Sequence, residues 1–216
     1  MSDPPEIPIL LLGDAGVGKS TFLSRLTLGP SGTTQSAKAL PALHDLDQPF
    51  PFDIRLYNRP YRFSFSDTAL PTNYTLLQPA LIILCYSIAD PASLQNVQDY
   101  WKKEVVDKHF NYDEALPVIM LGLMRDVRQK EDYDGRVRQM AEGGEDDEME
   151  VLNGRTIVYP QEGLRVAQEM RCDRYCECSA WTGELCNEVF EDIAKTAAMT
   201  TTSKGGKTEG TNCSVM

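Results

Sequence analysis

The part of the sequence best suited to chemistry is a glycine-rich loop that ends in a lysine and a serine, residues 13–20. It matches the phosphate-binding pattern G-x-x-x-x-G-K-[ST] in full. Glycines let backbone amides approach phosphate oxygens, and a helix that begins there adds the positive end of its dipole. Lys19 would neutralise the β- and γ-phosphates, and the Ser20 hydroxyl would bind Mg²⁺. The competing interpretation, a glycine-rich turn with an exposed lysine, is disfavoured by the full match.

The motif predicts a nucleotide without specifying which one, because an ATPase, a small-molecule kinase and a GTPase can all use it. The residues of this segment predicted to bind the nucleotide are Asp14, Ala15, Gly16, Val17, Gly18, Lys19, Ser20 and Thr21.

Apolar runs and helical periodicity predict the elements that must position this loop. The expected strands are 7–12, 52–56, 61–65, 80–86, 118–121 and 175–179, and the expected helices are 20–28, 90–110, 161–170 and 185–198. Strands that alternate with helices favour right-handed crossovers and a parallel sheet. The sequence therefore predicts an α/β fold, the three-layer sandwich of P-loop NTPases. Its six-stranded sheet is mostly parallel, with one antiparallel edge strand and helices on both faces.

Composition changes divide the chain into a folded domain, 1–198, and a flexible tail, 199–216. The domain contains a polar insert at about 136–155, in which 142–150 is strongly acidic. Such a run predicts a solvated loop, with binding of a partner protein as the alternative.

The charge and the apolar segments limit the class of protein. A net charge of −11 disfavours binding to nucleic acid, because the surface repels phosphate backbones. The apolar runs are too short to span a bilayer, and the acidic N-terminus is unlike a signal peptide. Six cysteines in a chain of 216 residues fit a reducing cytoplasmic compartment.

Three further short motifs each follow a predicted strand. They are Asp67, Thr68 and Ala69; Gly122, Leu123, Met124, Arg125 and Asp126; and Glu177, Cys178, Ser179 and Ala180. In this order they resemble a small GTPase of the Ras superfamily. The stretches 88–93 and 159–163, together with the insert, resemble the Rho branch. The resemblance covers about 7–198 and the last four residues.

The resemblance implies GTP or GDP with Mg²⁺ as cofactors. It assigns the metal to Ser20 and Asp67, and the base to Asp126, Ser179 and Ala180. The Asp126 carboxylate can accept hydrogen bonds from N1–H and N2–H₂ of guanine, a donor pair that adenine lacks. The resemblance also implies a monomer whose effectors and regulators bind two switch loops, 29–49 and 67–79.

The sequence departs from the family at the positions that support hydrolysis. Leu70 and Pro71 stand where the family has Gly and Gln, and Pro71 cannot position the attacking water. A gap-free count places Asp45 at the switch threonine, with Thr33 and Thr34 as alternatives. We therefore expect slow hydrolysis or none, and assign no catalytic residue.

The base motif departs as well. Leu123 and Met124 replace the family Asn and Lys, although the Met124 side chain can still cover a base. Ala180 can offer its N–H to the base oxygen. Trp181 replaces the lysine of the third motif, and we expect it to pack against the protein, with stacking on the base as the alternative.

The C-terminal Cys213, with Ser, Val and Met after it, fits the C-a-a-X signal and favours farnesylation. One lipid on an acidic protein predicts weak attachment to the cytoplasmic face of a membrane. Four other cysteines predict buried reduced thiols, with zinc as the weaker alternative: Cys172, Cys176, Cys178 and Cys186. His44 and His109 predict surface or loop positions without a catalytic role.

Three functional hypotheses remain. The first is an atypical Rho-like GTPase that switches by ordering its loops around Mg²⁺ and the γ-phosphate. The second is a pseudo-GTPase, a binding module without nucleotide cycling. The third, an ATP-dependent kinase, is disfavoured by Asp126 and the later Ser179 and Ala180.

Overall fold

Six strands form one sheet in the order β2-β3-β1-β4-β5-β6. The structure is a computed structural model that describes residues 4–29, 40–44, 47–56, 58–67, 76–110, 116–128 and 157–204. The strands are β1 (Glu6–Leu12), β2 (Phe50–Leu56), β3 (Arg59–Asp67), β4 (Leu81–Ser87), β5 (Val118–Leu123) and β6 (Arg174–Glu177). Only the edge pair β2–β3 is antiparallel, and the other neighbours run parallel. The predicted fold class is confirmed.

Four helices of eight or more residues flank the sheet in the described part of the chain. They are α1 (Lys19–Leu26), α2, α3 (Pro160–Glu169) and α4 (Cys186–Lys204). The helix α2 is α-helical over Pro91–Asn96, π-helical over Val97–Val106 and α-helical again over Asp107–His109. The side chain of Asp90 caps its start by accepting a hydrogen bond from the Ala92 N–H at 3.0 Å. None of the described helices is long and apolar enough to cross a membrane.

The helix bounds differ from the predicted ones mainly at two places. The prediction did not include the π-helical segment. A π-helix differs from an α-helix in which backbone N–H and C=O groups form hydrogen bonds, and the folded chain decides this. The last helix continues six residues past the predicted end at 198. The chain after residue 204, the insert at 136–155 and its acidic run lie outside the described residues, so the division into domain and tail stays a prediction.

Alternate residues of the central strands supply two separate cores, one on each face of the sheet. In β1, Ile7, Ile9 and Leu11 pack on the side of α1 and α4, whereas Leu10 and Leu12 pack on the side of α2 and α3. Burial on both faces explains why these strands appear as continuous apolar runs in the sequence. Because β1, β3, β4, β5 and β6 run parallel, their carboxyl ends lie at the same edge of the sheet, where the loops that carry the predicted motifs meet.

The ends of the undescribed stretch 129–156 are joined by Arg128. Its Nε donates a hydrogen bond to the carbonyl of Val158 at 2.9 Å, and its Nη2 donates to Glu177 Oε1 at 2.8 Å. Glu177 ends β6 and accepts a further hydrogen bond from the Tyr175 hydroxyl. Arg128 and Val158, which flank this stretch, are therefore linked to the strand that leads into the third motif.

Candidate functional site

The loop after β1 passes unusually close to β4. A Cβ atom built on Gly13 would lie 2.3 Å from the carbonyl oxygen of Cys85, and its φ is +150°. Gly16 has φ +80° and would place a Cβ in open space. Only glycine accepts both conformations without strain. The loop thus lies tight against the sheet at its start, and leaves space above its middle.

Lys19 lies across this loop as the first residue of α1. Its Nζ donates hydrogen bonds to the carbonyls of Gly13 at 3.0 Å and Asp14 at 2.9 Å. It also lies 3.7 Å from Asp67 Oδ1, and its side chain is 8% exposed. A nearly buried ammonium held by carbonyls, at the start of a helix, makes a strongly electropositive cradle.

Asp67 and Ser20, the two residues that the resemblance assigns to the metal, lie beside the ammonium. The Ser20 hydroxyl donates to Asp67 Oδ2 at 2.7 Å. Gln48 fixes the backbone of Asp67 from two sides, since its Nε2 donates to the Asp67 carbonyl and its Oε1 accepts from the Asp67 N–H, both at 2.8 Å. A hydroxyl and a carboxylate are the oxygen ligands that Mg²⁺ prefers, so this pair fits the metal.

A cavity of about 380 Å³ opens next to the loop. Its walls are Gly18, Thr21, Leu123, Met124, Asp126, Val127, Ala180 and Trp181. The Ser179 hydroxyl, which is fully buried, donates to Asp126 Oδ1 at 2.7 Å and so orients this carboxylate. A mostly apolar slot with one fixed carboxylate suits a planar base that offers N–H donors. The structure thereby brings the predicted base residues and the phosphate loop to one place.

Apolar contacts replace the polar side chains expected at two of these positions. Leu123 lies 3.7 Å from a Cβ built on Gly18. Met124 takes the left-handed conformation with φ +63°, and its Sδ accepts a hydrogen bond from the Ser87 hydroxyl at 3.3 Å. The wall of the cavity therefore depends on packing where the family uses amide and ammonium groups.

Trp181 is not packed into the protein, contrary to our expectation. It is 49% exposed and lines the cavity. The reason lies on α1, where Arg25 donates from Nε to the Ala180 carbonyl and from Nη2 to the Trp181 carbonyl, both at 2.7 Å. These bonds hold the backbone of the segment inward and leave the indole outside. The stacking alternative is therefore the one that the geometry favours.

Several side chains that complete the site carried no signal in the sequence. Arg25, Gln48, Asn96 and Trp101 each act on a motif residue that is 19 to 155 positions away. Asn96 and Trp101 both donate to the carboxylate of Asp14. A sequence motif identifies residues that are close together along the chain. Partners that are distant along the chain can be identified only from the folded structure.

Other predicted positions fall outside the described residues. They are Thr33, Thr34, Asp45, Thr68, Ala69, Leu70, Pro71 and Cys213. Of the remaining loop residues, Ala15 is exposed and Val17 is buried. His44 and His109 are both exposed, which confirms their predicted surface position.

The cysteines of the described part are free thiols, and Cys176, Cys178 and Cys186 are buried as predicted. Cys172 is only partly buried, so the prediction of a buried thiol is wrong for this residue. Burial raises the pKa of Cys85 to about 12 and those of Cys172 and Cys176 to about 11. These groups consequently stay protonated at neutral pH. Within the described ranges, no three His, Cys, Asp or Glu side chains are grouped so as to hold a metal ion.

Comparisons with known proteins agree with this geometry. A sequence model of the Ras family matches residues 8–199. GTP-binding protein RHO3 of Eremothecium gossypii is 27% identical over 227 residues, which cover 99% of this chain and 95% of the relative. GTP-binding protein RHO1 of Saccharomyces cerevisiae is 27% identical, with 92% and 87% covered. Rho-related GTP-binding protein RhoF of Mus musculus is 25% identical, with 89% and 82% covered.

Proposed function

The chain belongs to the Ras family, and from this premise we propose that it is an atypical Rho-like small GTPase. It binds a guanine nucleotide with Mg²⁺ in the site described above, acts as a signalling switch, and hydrolyses GTP slowly or not at all. The observation that carries the proposal is the junction of the Lys19 cradle with the cavity that contains Asp126.

The phosphate half of the proposal rests on charge and donor geometry. Lys19 and the amides at the start of α1 supply positive potential beside open space over Gly16. Ser20 and Asp67 would hold the Mg²⁺. When bound, this ion would neutralise negative charge on the phosphates. Gln48 links the end of one switch loop to the start of the other, which is where effector and regulator proteins would bind.

The base half rests on Asp126 and its fixed orientation. Ser179 orients the carboxylate at the cavity wall, where it can accept hydrogen bonds from a bound base. Guanine offers two adjacent donors on one edge, and adenine does not. The relatives named above are described as GTP-binding, which supports the same choice.

Nucleotide released from purified, denatured protein tests the proposal and its alternative together. Bound GTP supports slow hydrolysis, and bound GDP supports an ordinary cycle. The pseudo-GTPase alternative is favoured by Leu123, Leu70 and Pro71, which replace three groups that serve the nucleotide in the family. An empty site, with no heat from GTP or GDP in calorimetry on folded protein, would establish that alternative. Released ATP or ADP would point to the kinase.

We expect the single-turnover rate of GTP hydrolysis to be at least roughly tenfold below that of an ordinary Rho protein assayed beside it. Pro71 has no side-chain amide with which to orient the attacking water, and Leu70 restricts the adjacent loop. Replacing both by Gly and Gln should raise the rate. Equal rates for wild type and the ordinary protein would contradict the explanation.

We expect Trp181→Ala to weaken nucleotide binding roughly tenfold, since stacking of one base on an aromatic ring contributes about 1–3 kcal/mol. Trp181→Phe should retain most of the affinity because it keeps an aromatic face. Fluorescence titration with labelled GDP gives both constants. The matched control is Leu164→Ala, which truncates a similarly exposed apolar side chain on α3. Equal affinity for Trp181→Ala and wild type would show that the indole does not cover the base.

Membrane attachment through a prenyl group on Cys213 is the last part of the proposal. Cys213→Ser should reduce the fraction of protein that sediments with cell membranes. The amount of protein lost from the membrane fraction should be small, because a single lipid chain holds only part of the wild-type protein there and binds reversibly. An unchanged fraction would remove the lipid anchor from the proposal.

A further inference from the structure

The carboxylate of Asp14 connects the phosphate loop to α2. Its Oδ1 accepts a hydrogen bond from the indole Nε1 of Trp101, and its Oδ2 accepts one from the amide Nδ2 of Asn96, both at 2.7 Å. Trp101 is 4% exposed, so one of these bonds is shielded from water. Hydrogen bonds to an ionised carboxylate are stronger than neutral ones.

The π-helical segment of α2 explains how one helix can supply both donors. Asn96 and Trp101 are five residues apart and flank the start of the segment Val97–Val106. In an α-helix, side chains five residues apart point in directions that differ by about 140°. A π-helix closes its hydrogen bonds between residues five apart and has more residues per turn, so such side chains point in more similar directions than in an α-helix. The unusual helix geometry and the Asp14 contact therefore belong together.

We propose that Asn96 and Trp101 are positioning residues, which act through Asp14 to slow the release of the bound nucleotide. The inference rests on the nucleotide-binding function proposed above. It assigns to α2 a role in the residence time of the ligand, although neither donor lines the cavity.

Asp14 is the point at which this role reaches the nucleotide. Its carbonyl accepts the second hydrogen bond of Lys19, at 2.9 Å, while its side chain is held by α2. The two attachments together fix the first residues of the loop. A carboxylate released from α2 would turn freely beside the phosphate site and repel its negative charge. Loss of either donor should therefore loosen the cradle and speed release.

The competing explanation is that these bonds only fasten α2 to the sheet. Trp101 packs in the core on that face together with Leu94, Val97 and Val105. In that case removal of the indole N–H would lower the stability of the protein without a specific effect on the nucleotide. The two explanations differ in whether the effect of Trp101 depends on Asp14.

The first measurement is the dissociation rate of fluorescent GDP, chased by excess unlabelled GDP with Mg²⁺ present. Trp101→Phe keeps the ring and its packing but removes the N–H donor. We expect it to speed release roughly tenfold, and Asn96→Ala to speed it severalfold. The matched control is Tyr100→Phe, an exposed neighbour on the same helix, which should leave the rate unchanged.

A double-mutant cycle then separates positioning from fastening. In an Asp14→Ala background, Trp101→Phe should change the rate by less than about a factor of two, because the group through which it acts is gone. The same tenfold effect in both backgrounds, or no effect in the wild-type background, would overturn the proposal. Thermal unfolding of each variant without nucleotide shows whether stability alone tracks the rates.

A second measurement does not need a nucleotide. The indole N–H resonances of Trp101 and Trp181 can be followed by NMR in the full chain labelled at tryptophan nitrogen. Asp14→Ala should shift the Trp101 resonance and hasten its exchange with water, while Trp181 serves as the internal reference. An unmoved Trp101 resonance would refute the contact itself. If wild-type protein binds no labelled GDP, the proposed function and the kinetic role are both overturned. If Asp14→Ala still shifts the Trp101 resonance in that case, the contact itself remains in place.

Discussion

Lys19→Ala is expected to lower the affinity for GDP and GTP by roughly two to three orders of magnitude. The ammonium is almost buried and is held above the loop by the carbonyls of Gly13 and Asp14. Without the ammonium, the negative charges of the proposed phosphates and of Asp67 would repel each other, with no nearby positive side chain of Lys19 to neutralise them. Calorimetry on protein stripped of nucleotide measures the loss directly.

The control for this variant is Lys195→Ala. Lys195 lies on α4 in an exposed ion pair with Glu191, with 3.2 Å between Nζ and Oε2. Lys195 carries the same charge but has no role in the cradle. The affinity of the Lys195→Ala variant for GDP and GTP should therefore equal that of wild type. Should Lys19→Ala bind within threefold of wild type while remaining folded, the assignment of the loop as a phosphate site would fail.

Gly13→Ala is expected to cost about 3 kcal/mol or more in the free energy of unfolding. The new Cβ would lie 2.3 Å from a backbone oxygen of β4, which cannot move without distorting the central sheet. Nucleotide binding should fall as well, because the carbonyl of this residue holds Lys19. Urea unfolding of nucleotide-free protein gives the first quantity, and titration with labelled GDP the second.

Gly29→Ala is the matched control, because it separates backbone conformation from steric conflict. Gly29 also has a positive φ, +68°, but a Cβ there would meet no atom within 4 Å. It should cost only about 1–2 kcal/mol, the penalty for a left-handed residue. Equal losses for the two variants would mean that the contact with Cys85 does not constrain the loop.

Proximity of the two switch loops has a consequence for how the molecule could respond to its ligand. Gln48 lies at the end of the first loop and binds the backbone of Asp67, at the start of the second, through two hydrogen bonds. The carboxylate of Asp67 in turn accepts a hydrogen bond from the Ser20 hydroxyl. A change at the proposed metal site would therefore act on Asp67 and, through it, on Gln48, so that one event reaches a residue of each predicted switch loop.

The sequence was sufficient for features that depend on neighbours along the chain. The phosphate loop is eight consecutive residues, and its conformation follows from its own glycines and the helix after it. The presence of the central strands and their burial followed from continuous apolar runs such as that of β4. The positions of Asp67 at the end of β3 and of Asp126 shortly after β5 followed from the same reasoning. Comparison with the Ras family agrees with this part of the interpretation.

Tertiary structure alone decided which polar side chains serve the site. Arg25 reaches the carbonyl of Ala180 across 155 positions, and Trp101 reaches Asp14 across 87. It also decided the orientation of Trp181, which we had expected to be packed, and the π-helical turn of α2. Local propensity and periodicity are set by residues a few positions apart, whereas a hydrogen bond is set by where two distant segments cross. Side chains with no signal of their own thus acquire a role only when the sheet brings them beside the motif.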